Sequence, residues 1–341
     1  MNTKMKAEKT IYFDLMLTLV PIAFMSYSYY GIRTLILCII AMVTCLITDY
    51  ICILLGGKKF KVEDLDSVVT GMIIALMMPA SISYNILMLT CFVSIIIGKQ
   101  AFGGRRNLVF SPAAVGFIFS SISWKNHVML YPRPYSELEI TSTVSNTLYP
   151  SLSSIINTTE TVNVSDTDLM LGNFMGPMGA TSIIVLLVCG AVLMFRKSIS
   201  TMTALGTIGT ITTYSFLFPV GNSPIKYTLY QLIGNMVVFG TIYISADLRI
   251  TPNSKIPRLI YGIIIGFFTC YLTRELKVEN AIIYATIIAC PLAMAMDDYT
   301  ARVKARLNKF YIEKIQPEIQ KARQKLSDKL RNSGENDEIK G

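Results

Sequence analysis

The sequence predicts an all-α integral membrane protein, with about ten transmembrane helices in two five-helix halves. Three observations predict it. Hydrophobic residues make up 52% of the 341 residues and charged ones 16%, with a mean hydropathy of +0.50, whereas a soluble domain carries about a quarter charged residues. The apolar residues fall in long runs, not on one face of amphipathic helices, which is the pattern of membrane spans. The Lys and Arg between the runs are biased to one side, as the loops of a membrane protein are.

Five runs, at 15–30, 34–55, 68–79, 85–98 and 109–123, make a first half over 15–123, preceded by a cytoplasmic N-terminus at 1–14. A polar outer loop covers 124–180. Five more runs, at 181–195, 201–219, 227–246, 259–273 and 280–296, make a second half over 181–296, and a basic cytoplasmic tail covers 297–341. Segments 68–79 and 109–123 are shorter than the roughly 20 residues of an untilted span. Each is flanked by Gly, Pro, Ser or Asn and is expected to be re-entrant or broken, an arrangement tolerated only where protein covers the free backbone. Five spans per half give the halves opposite orientations, which allows an inverted repeat. VVTGMIIALMMPAS in the first half and GNMVVFGTIYISAD in the second are its clearest traces.

With the N-terminus inside, fourteen Lys and Arg from Lys4 to Arg258 lie on the inner side ahead of the tail. Six lie outside: Arg33, Lys125, Arg133, Lys226, Arg274 and Lys277. The bias predicts an even number of spans with both termini cytoplasmic, in a bacterial inner membrane. The loop over 124–180 is rich in Ser, Thr and Asn without periodicity. It is expected to hold little regular structure and to offer a docking surface to an extracytoplasmic partner. The tail is expected to lie along the lipid surface or a partner as a helix, with Phe310, Tyr311, Ile315, Ile319 and Leu326 as its apolar positions and an interruption at Pro317.

Composition also excludes. The net charge of +9 is accounted for by inner-side Lys and Arg, and the single Trp leaves no basic, aromatic-interleaved platform for nucleic acid. No small-residue cleavage site follows the first run, so no cleaved signal peptide is expected. The seven cysteines contain no CxxC, so no zinc or iron–sulfur site is expected. Cys38, Cys45 and Cys52 recur every seven residues on one helix face, as small packing residues or as a face toward a redox partner.

Three places carry chemistry. Asp49 lies in an apolar run, where a carboxylate is costly. It either pairs near the interface with Lys58 or Lys59 or serves a function, whereas Asp66, Asp247, Asp297 and Asp298 are expected in helix-terminal contacts. The turn GKQAFGGRRNLVFSPAAVG brings Gly103, Gly104, Arg105, Arg106, Asn107 and Ser111 together. Glycine permits close approach and arginine suits a phosphate or a flavin edge, although the same pattern is what a positive-inside loop looks like. In GNFMGPMGATSIIVLL a Gly-rich turn opens a helix at Thr181. That residue is read as an N-cap or as a hydroxyl free for modification on a flexible turn, close to the positive end of the helix. His127, the one histidine, stands alone in the outer loop.

Four stretches, DLDSVVTGMIIALMMPAS, IIIGKQAFGGRRNLVFSPAAVG, GNFMGPMGATSIIVLL and YISADLRITPNSKIPRLIYGIIIG, together resemble the RnfD/NqrB family of membrane subunits. These belong to Rnf and sodium-translocating NADH:quinone reductase complexes. The length is closer to RnfD. The resemblance implies ten helices in two inverted halves and FMN attached to a threonine through a phosphoester, with a noncovalent riboflavin as a second cofactor. Carried onto this chain, the FMN threonine is Thr181 in Gly179-Ala180-Thr181, with Ser182 as the neighbouring hydroxyl. Met178 stands where a small polar residue is usual. Arg105, Asn107, Ser111, Thr70, Asp247 and Thr251 would line a second flavin or an ion path. The family pattern near GGLGxNPFNPA is altered by Arg105-Arg106 and Leu108-Val109, and the usual Asp-Pro is Asp247-Leu248. The resemblance implies a subunit of a ferredoxin:NAD-type ion pump, exporting Na+ or H+ and assembled with other Rnf-like subunits that include an extracytoplasmic flavin subunit. The competing reading is a solute transporter or channel without flavin.

Overall fold

The computed structural model describes residues 2–57, 65–136, 138–140, 148–159, 165–219 and 223–310. Lys58 and Lys59, and the tail positions Tyr311, Ile315, Pro317, Ile319 and Leu326, lie outside these. The chain divides into two compact units, residues 1–293 and 294–341.

The fold is helical almost throughout. Helix α1 (Asn2–Tyr30) and α2 (Ile32–Leu55) meet at Gly31, and then come α3 (Asp66–Met77) and α4 (Tyr84–Ile95), which runs into a π-turn over Ile96–Gln100. A 3-10 turn at Arg105–Asn107 leads to α5 (Pro112–Ser123), where Pro112 takes the first-turn position that needs no N–H. The polar segment 124–180 holds α6 (Lys125–Val128), α7 (Leu152–Thr159) and α8 (Asp166–Leu171). After it come α9 (Ile183–Phe195), α10 (Thr201–Leu217), α11 (Pro224–Gly234) and α12 (Val237–Gly240), the last with a π-turn over Thr241–Ser245. Helices α13 (Lys255–Arg274) and α14 (Ala281–Phe310) complete the described chain. In the second unit, residues 294–310 are helical.

Four helical stretches are long and apolar enough to cross a bilayer: Thr10–Tyr30, Ile32–Leu55, Lys255–Arg274 and Ala281–Arg306. The pair Pro224–Gly234 and Val237–Ser245 reaches that length together but bends by 56° at its break. Asp66–Met77, Tyr84–Gln100, Pro112–Ser123 and Ile183–Phe195 are apolar and shorter. The chain is a multi-pass membrane protein, and the two segments expected to be short are short.

The run at 227–246 is not one helix. It breaks at Asn235, whose side-chain amide ties the break to its neighbours: it donates to Gln231 Oε1 at 3.2 Å and Thr273 Oγ1 at 2.9 Å and accepts from Asn280 N at 2.8 Å. Met236 then takes the left-handed conformation, φ 56°. Periodicity misses this break because the residues on both sides of it are apolar.

Close helix pairing comes from small residues. Across α10 and α13, a Cβ on Gly262 would collide with the Thr203 carbonyl, and one on Gly206 would stand 2.7 Å from the Leu259 carbonyl oxygen. Thr207 Oγ1 donates across the seam to Gly262 O at 3.2 Å. In lipid such backbone contact and interhelical hydrogen bonding replace the hydrophobic drive. Of the cysteine stripe on α2, Cys38 and Cys45 are buried, and Cys52 is half-buried; all three are free thiols. Packing suffices to explain them.

One expectation is corrected. The polar segment 124–180 holds regular structure: besides its helices, β1 (Leu130–Tyr131) pairs antiparallel with β2 (Tyr149–Pro150). Arg33, counted among the outer-loop charges, is 1% exposed. Its guanidinium donates to Ala80 O at 2.9 Å, to Ile82 O at 3.0 Å and to the Glu139 carbonyl, and stacks on Tyr84. It therefore clasps the α3–α4 turn to the loop. Helix α1 begins ahead of the apolar run at 15–30, so Asp14 lies inside it, 1% exposed.

Candidate functional site

The short α3 joins two sites. At its N-terminus is a cluster of charges. Lys99 Nζ lies 2.8 Å from Asp49 Oδ2, 2.5 Å from Asp66 Oδ1 and 2.9 Å from Ser67 Oγ. Ser67 and Gln100 donate to the two oxygens of Asp49, at 2.6 and 2.5 Å. Arg249 adds a 3.3 Å contact to Asp66 and holds Asp247 at 2.5 Å. Asp49, Asp66 and Lys99 are all nearly inaccessible. Buried ion pairs roughly break even against desolvation, but a lone survivor of such a pair costs about 3–5 kcal/mol. The geometry follows from local structure. Asp66 occupies the first turn of α3, where a carboxylate is favoured. Lys99 sits in the π-turn after α4, the type of irregularity that recurs at functional sites.

Asp49 thus pairs with Lys99; Lys58 and Lys59 lie outside the described residues. Asp66 does make a helix-terminal contact, but a buried and ionic one. Lys99 was hidden from the sequence because it ends an apolar run and reads as an ordinary inner-loop lysine.

The candidate loop residues converge on the same end. Arg105 and Arg249 both stack on Tyr12 of α1, 4.7 and 5.6 Å from the ring centroid. Thr70 is buried and donates to the Asp66 carbonyl at 3.2 Å. Leu108 and Ile250 pack together with Cys290, which brings the Ser111 and Thr251 loops alongside each other. Ser111 is buried at the start of α5, and the buried Thr251 hydroxyl has no hydrogen-bond partner among the described residues. Asn107 is exposed and does not join them.

At the C-terminus of α3 is the turn that leads to Thr181. Helix α8 delivers the chain to it. Ser165 caps α8: its hydroxyl accepts from Asp168 N at 3.1 Å and donates to the Asp168 carboxylate. Donation from Ser165 and then Asn173 holds the exposed Asp168 carboxyl below its usual range. Gly172 ends the helix at φ 85°, and a Cβ there would run into the Thr181 carbonyl. The turn then docks on the end of α3: Gly179 N donates to Leu76 O at 2.7 Å and Met178 N to Met78 O at 3.2 Å. These are carbonyls that a helix end leaves unpaired. Ser26 of α1 donates to Met178 O at 2.8 Å.

Thr181 itself is 0% exposed, and its hydroxyl points at Met178 O, 3.4 Å away. This corrects both readings of its setting. The N-cap of α9 is Ser182, which makes no side-chain cap, and the hydroxyl is enclosed, not free on a flexible turn. Gly179, Ala180 and Ser182 are buried with it. A hydroxyl beside the first turn of α9 suits a phosphoester chemically, and in this packing it is covered by the turn. Nearby, Ser151 donates to Glu279, whose carboxyl burial raises above its usual range against the hydrogen bonds of Ser151 and Ser154 and the charge of Lys125. Among the described residues no group of three or more His, Cys, Asp and Glu could hold a metal ion.

A model of the NQR2, RnfD, RnfE family matches residues 2–306. The chain is 22% identical over 316 residues to a subunit of the ion-translocating oxidoreductase complex of Actinobacillus succinogenes, covering 83% of this chain and 89% of that one. It is 22% identical over 301 residues to a subunit of the proton-translocating ferredoxin:NAD(+) oxidoreductase complex of Clostridium ljungdahlii (86% and 90% covered). It is 26% identical over 259 residues to the Na(+)-translocating counterpart of Acetobacterium woodii (75% and 77% covered). The match runs through both ends of α3 and through the helices on either side of it, and on that extent the chain belongs to the NQR2, RnfD, RnfE family.

Proposed function

We propose that this chain is the flavin-carrying membrane subunit of an ion-translocating oxidoreductase complex, passing electrons between ferredoxin-side and NAD-side partners while the complex moves Na+ or H+. The observation that carries this reading is the family match over residues 2–306, with relatives whose names describe ion-translocating complexes of this kind. The chain's part is to hold isoalloxazine rings in place and tune them, since the redox chemistry is the flavin's own. The other subunits, including an extracytoplasmic flavin subunit, are its partners. The chain would cross the bacterial membrane ten times in two inverted halves with both termini cytoplasmic, an orientation that accords with the fourteen-to-six charge bias. Labelling of a cysteine placed at Pro150 from outside, and of one placed at residue 330 only after permeabilisation, is the expected outcome. Both on one side would reject the topology.

Within this reading Thr181 carries FMN as a phosphoester and a riboflavin is held noncovalently. Gly179, Ala180 and Thr181 supply the motif, and the helix start beside them favours a phosphate. Because the turn is closed over the hydroxyl, transfer requires the turn to be undocked from α3. At the other end of α3, Arg105, Thr70, Ser111, Asp247 and Thr251 serve the second flavin or the ion, with Asn107 at the exposed margin.

The test is co-expression with a flavin transferase, followed by a denaturing gel and intact mass. The expected result is a fluorescent band that Thr181→Val abolishes, with the mass lowered by one FMN less water. A full adduct in Thr181→Val would exclude Thr181, and Ser182→Ala would then be examined. A colourless wild type that transports a solute alone would favour the transporter reading.

A further inference from the structure

Helices α10 and α13 run side by side in the same direction. Thr203 and Thr207 donate to the Arg258 and Gly262 carbonyls near their starts, and Arg274 Nη1 donates to Phe218 O at 3.1 Å at their ends. On α10, Leu205, Gly209, Thr213 and Leu217 recur every four residues and so share one face. That face lines a groove of about 460 Å³, with Leu259 and Ile263 of α13 as its side wall. Gly209 leaves the groove hollow: a Cβ there would meet nothing within 4 Å. Thr210 Oγ1 donates to Gly206 O at 2.8 Å, within its own helix, and calls for no polar ligand. Leu205, Leu217, Leu259 and Ile263 are exposed, and in a chain that crosses a bilayer such a surface faces lipid or another helix.

Arg274 stands at one end of the groove. Its guanidinium stacks on Phe218, 5.8 Å from the ring centroid, and Phe218 packs on Tyr214 with centroids 5.1 Å apart. Both rings line the groove. The bond to Phe218 O uses one of five N–H groups, and Arg274 makes no ion pair among the described residues. Helix α13 has 20 residues and ends at Arg274. Its length of about 30 Å equals the hydrocarbon thickness, so the guanidinium lies at headgroup depth, where aromatic side chains also gather.

We propose that this groove holds one acyl chain of an anionic phospholipid, with the lipid phosphate bound by Arg274. The dimensions favour a lipid chain over a helix. From Leu205 to Phe218, α10 rises about 20 Å, against about 15 Å for one leaflet of the hydrocarbon core. A partner helix of that length and about 10 Å across fills roughly 1,600 Å³, several times the groove. The charge favours an anionic headgroup. A guanidinium offers parallel N–H groups to two phosphate oxygens. No residue lining the groove is acidic, and the exposed Glu275 is offset by the exposed Lys277. The site needs only the bilayer setting of the chain and stands apart from its redox role.

The test uses the assembled complex in mild detergent, washed free of lipid and titrated with phosphatidylglycerol or phosphatidylcholine, with bound lipid counted by mass spectrometry. Gly209→Leu fills the hollow from a position where Cβ touches nothing, and should lower the bound phosphatidylglycerol by one molecule. Arg274→Gln should need about tenfold more phosphatidylglycerol for the same occupancy, bringing it level with phosphatidylcholine. A photo-reactive side chain introduced at Leu217 should yield an adduct of lipid mass. Should Arg274→Gln fail to assemble, because Arg274 also holds Phe218, the other two measurements carry the test. Wild-type lipid binding in Gly209→Leu would overturn the site. Equal binding of the two lipids by the wild type would overturn the anionic headgroup. An adduct between Leu217 and another subunit would overturn the lipid in favour of a partner helix.

Discussion

At its N-terminus α3 meets side chains: Lys99 between Asp49 and Asp66, with Arg249 alongside. At its C-terminus it meets backbone, the N–H groups of Met178 and Gly179 on the carbonyls of Met78 and Leu76. The first end is specified by charge and tolerates no missing partner. The second is specified by shape and tolerates no added atom. A buried ionic site and a buried turn can therefore be equally well determined, yet fail under different substitutions.

The largest expected effect is at the charged end. Lys99→Met leaves Asp49 buried without a cation and Asp66 with only the 3.3 Å contact of Arg249, and should cost about 3–5 kcal/mol. Thermal unfolding in detergent should show it, and adding Asp49→Asn and Asp66→Asn to the same chain should recover part of the loss. Wild-type stability of Lys99→Met alone would show that water or Arg249 already neutralises the cluster. A smaller effect is expected at the backbone end. In Gly179→Ala the new Cβ would lie 2.7 Å from Leu76 Cβ and 3.0 Å from Phe239 Cε2, an overpacking that typically costs about 1–3 kcal/mol. Gly209→Ala is the control, because nothing lies within 4 Å of its Cβ. Equal melting temperatures for the two alanine variants would mean that the turn is not tightly docked.

The smallest effect separates a carboxyl with only hydroxyl and lysine neighbours from the ion-paired ones. Burial raises the Glu279 carboxyl, so the folded protein holds that proton more tightly than the unfolded chain does. Its contribution is greatest at pH below the ordinary carboxylate range and is lost as pH rises through the raised value. Glu279→Gln should flatten that dependence and leave stability at low pH nearly unchanged. An unaltered pH profile would assign the slope to other groups.

Much of this was legible in the residues. Hydropathy gave the membrane class, and the flanking Gly, Pro and Ser marked 68–79 and 109–123 as short; α5 ends at Ser123, where the apolar run ends. The arrival of a helix just after Thr181 was also readable. What was missed shares one cause, contact between residues far apart in the chain. Lys99 is solvated in any count of loop charges until α2 and α3 are placed beside it. Asp14 looked like an arm residue because a carboxylate marks a run's end unless a partner such as Ser198 lies 184 residues away. Tyr131 and Tyr149 sit in polar sequence with no alternation long enough to announce a hairpin. The burial of Thr181 depends on the end of another helix and on nothing local.

The docking of residue 178 on residue 78 also sets an order of events during synthesis. At roughly 5–20 residues per second, the hundred residues between Met78 and Met178 take about 5–20 s to make. Through that interval the last carbonyls of α3 have no chain partner, and hydrocarbon offers none. The newborn helix must keep that end in water or among lipid headgroups, and it reaches its final depth only after the turn bearing Thr181 has left the ribosome.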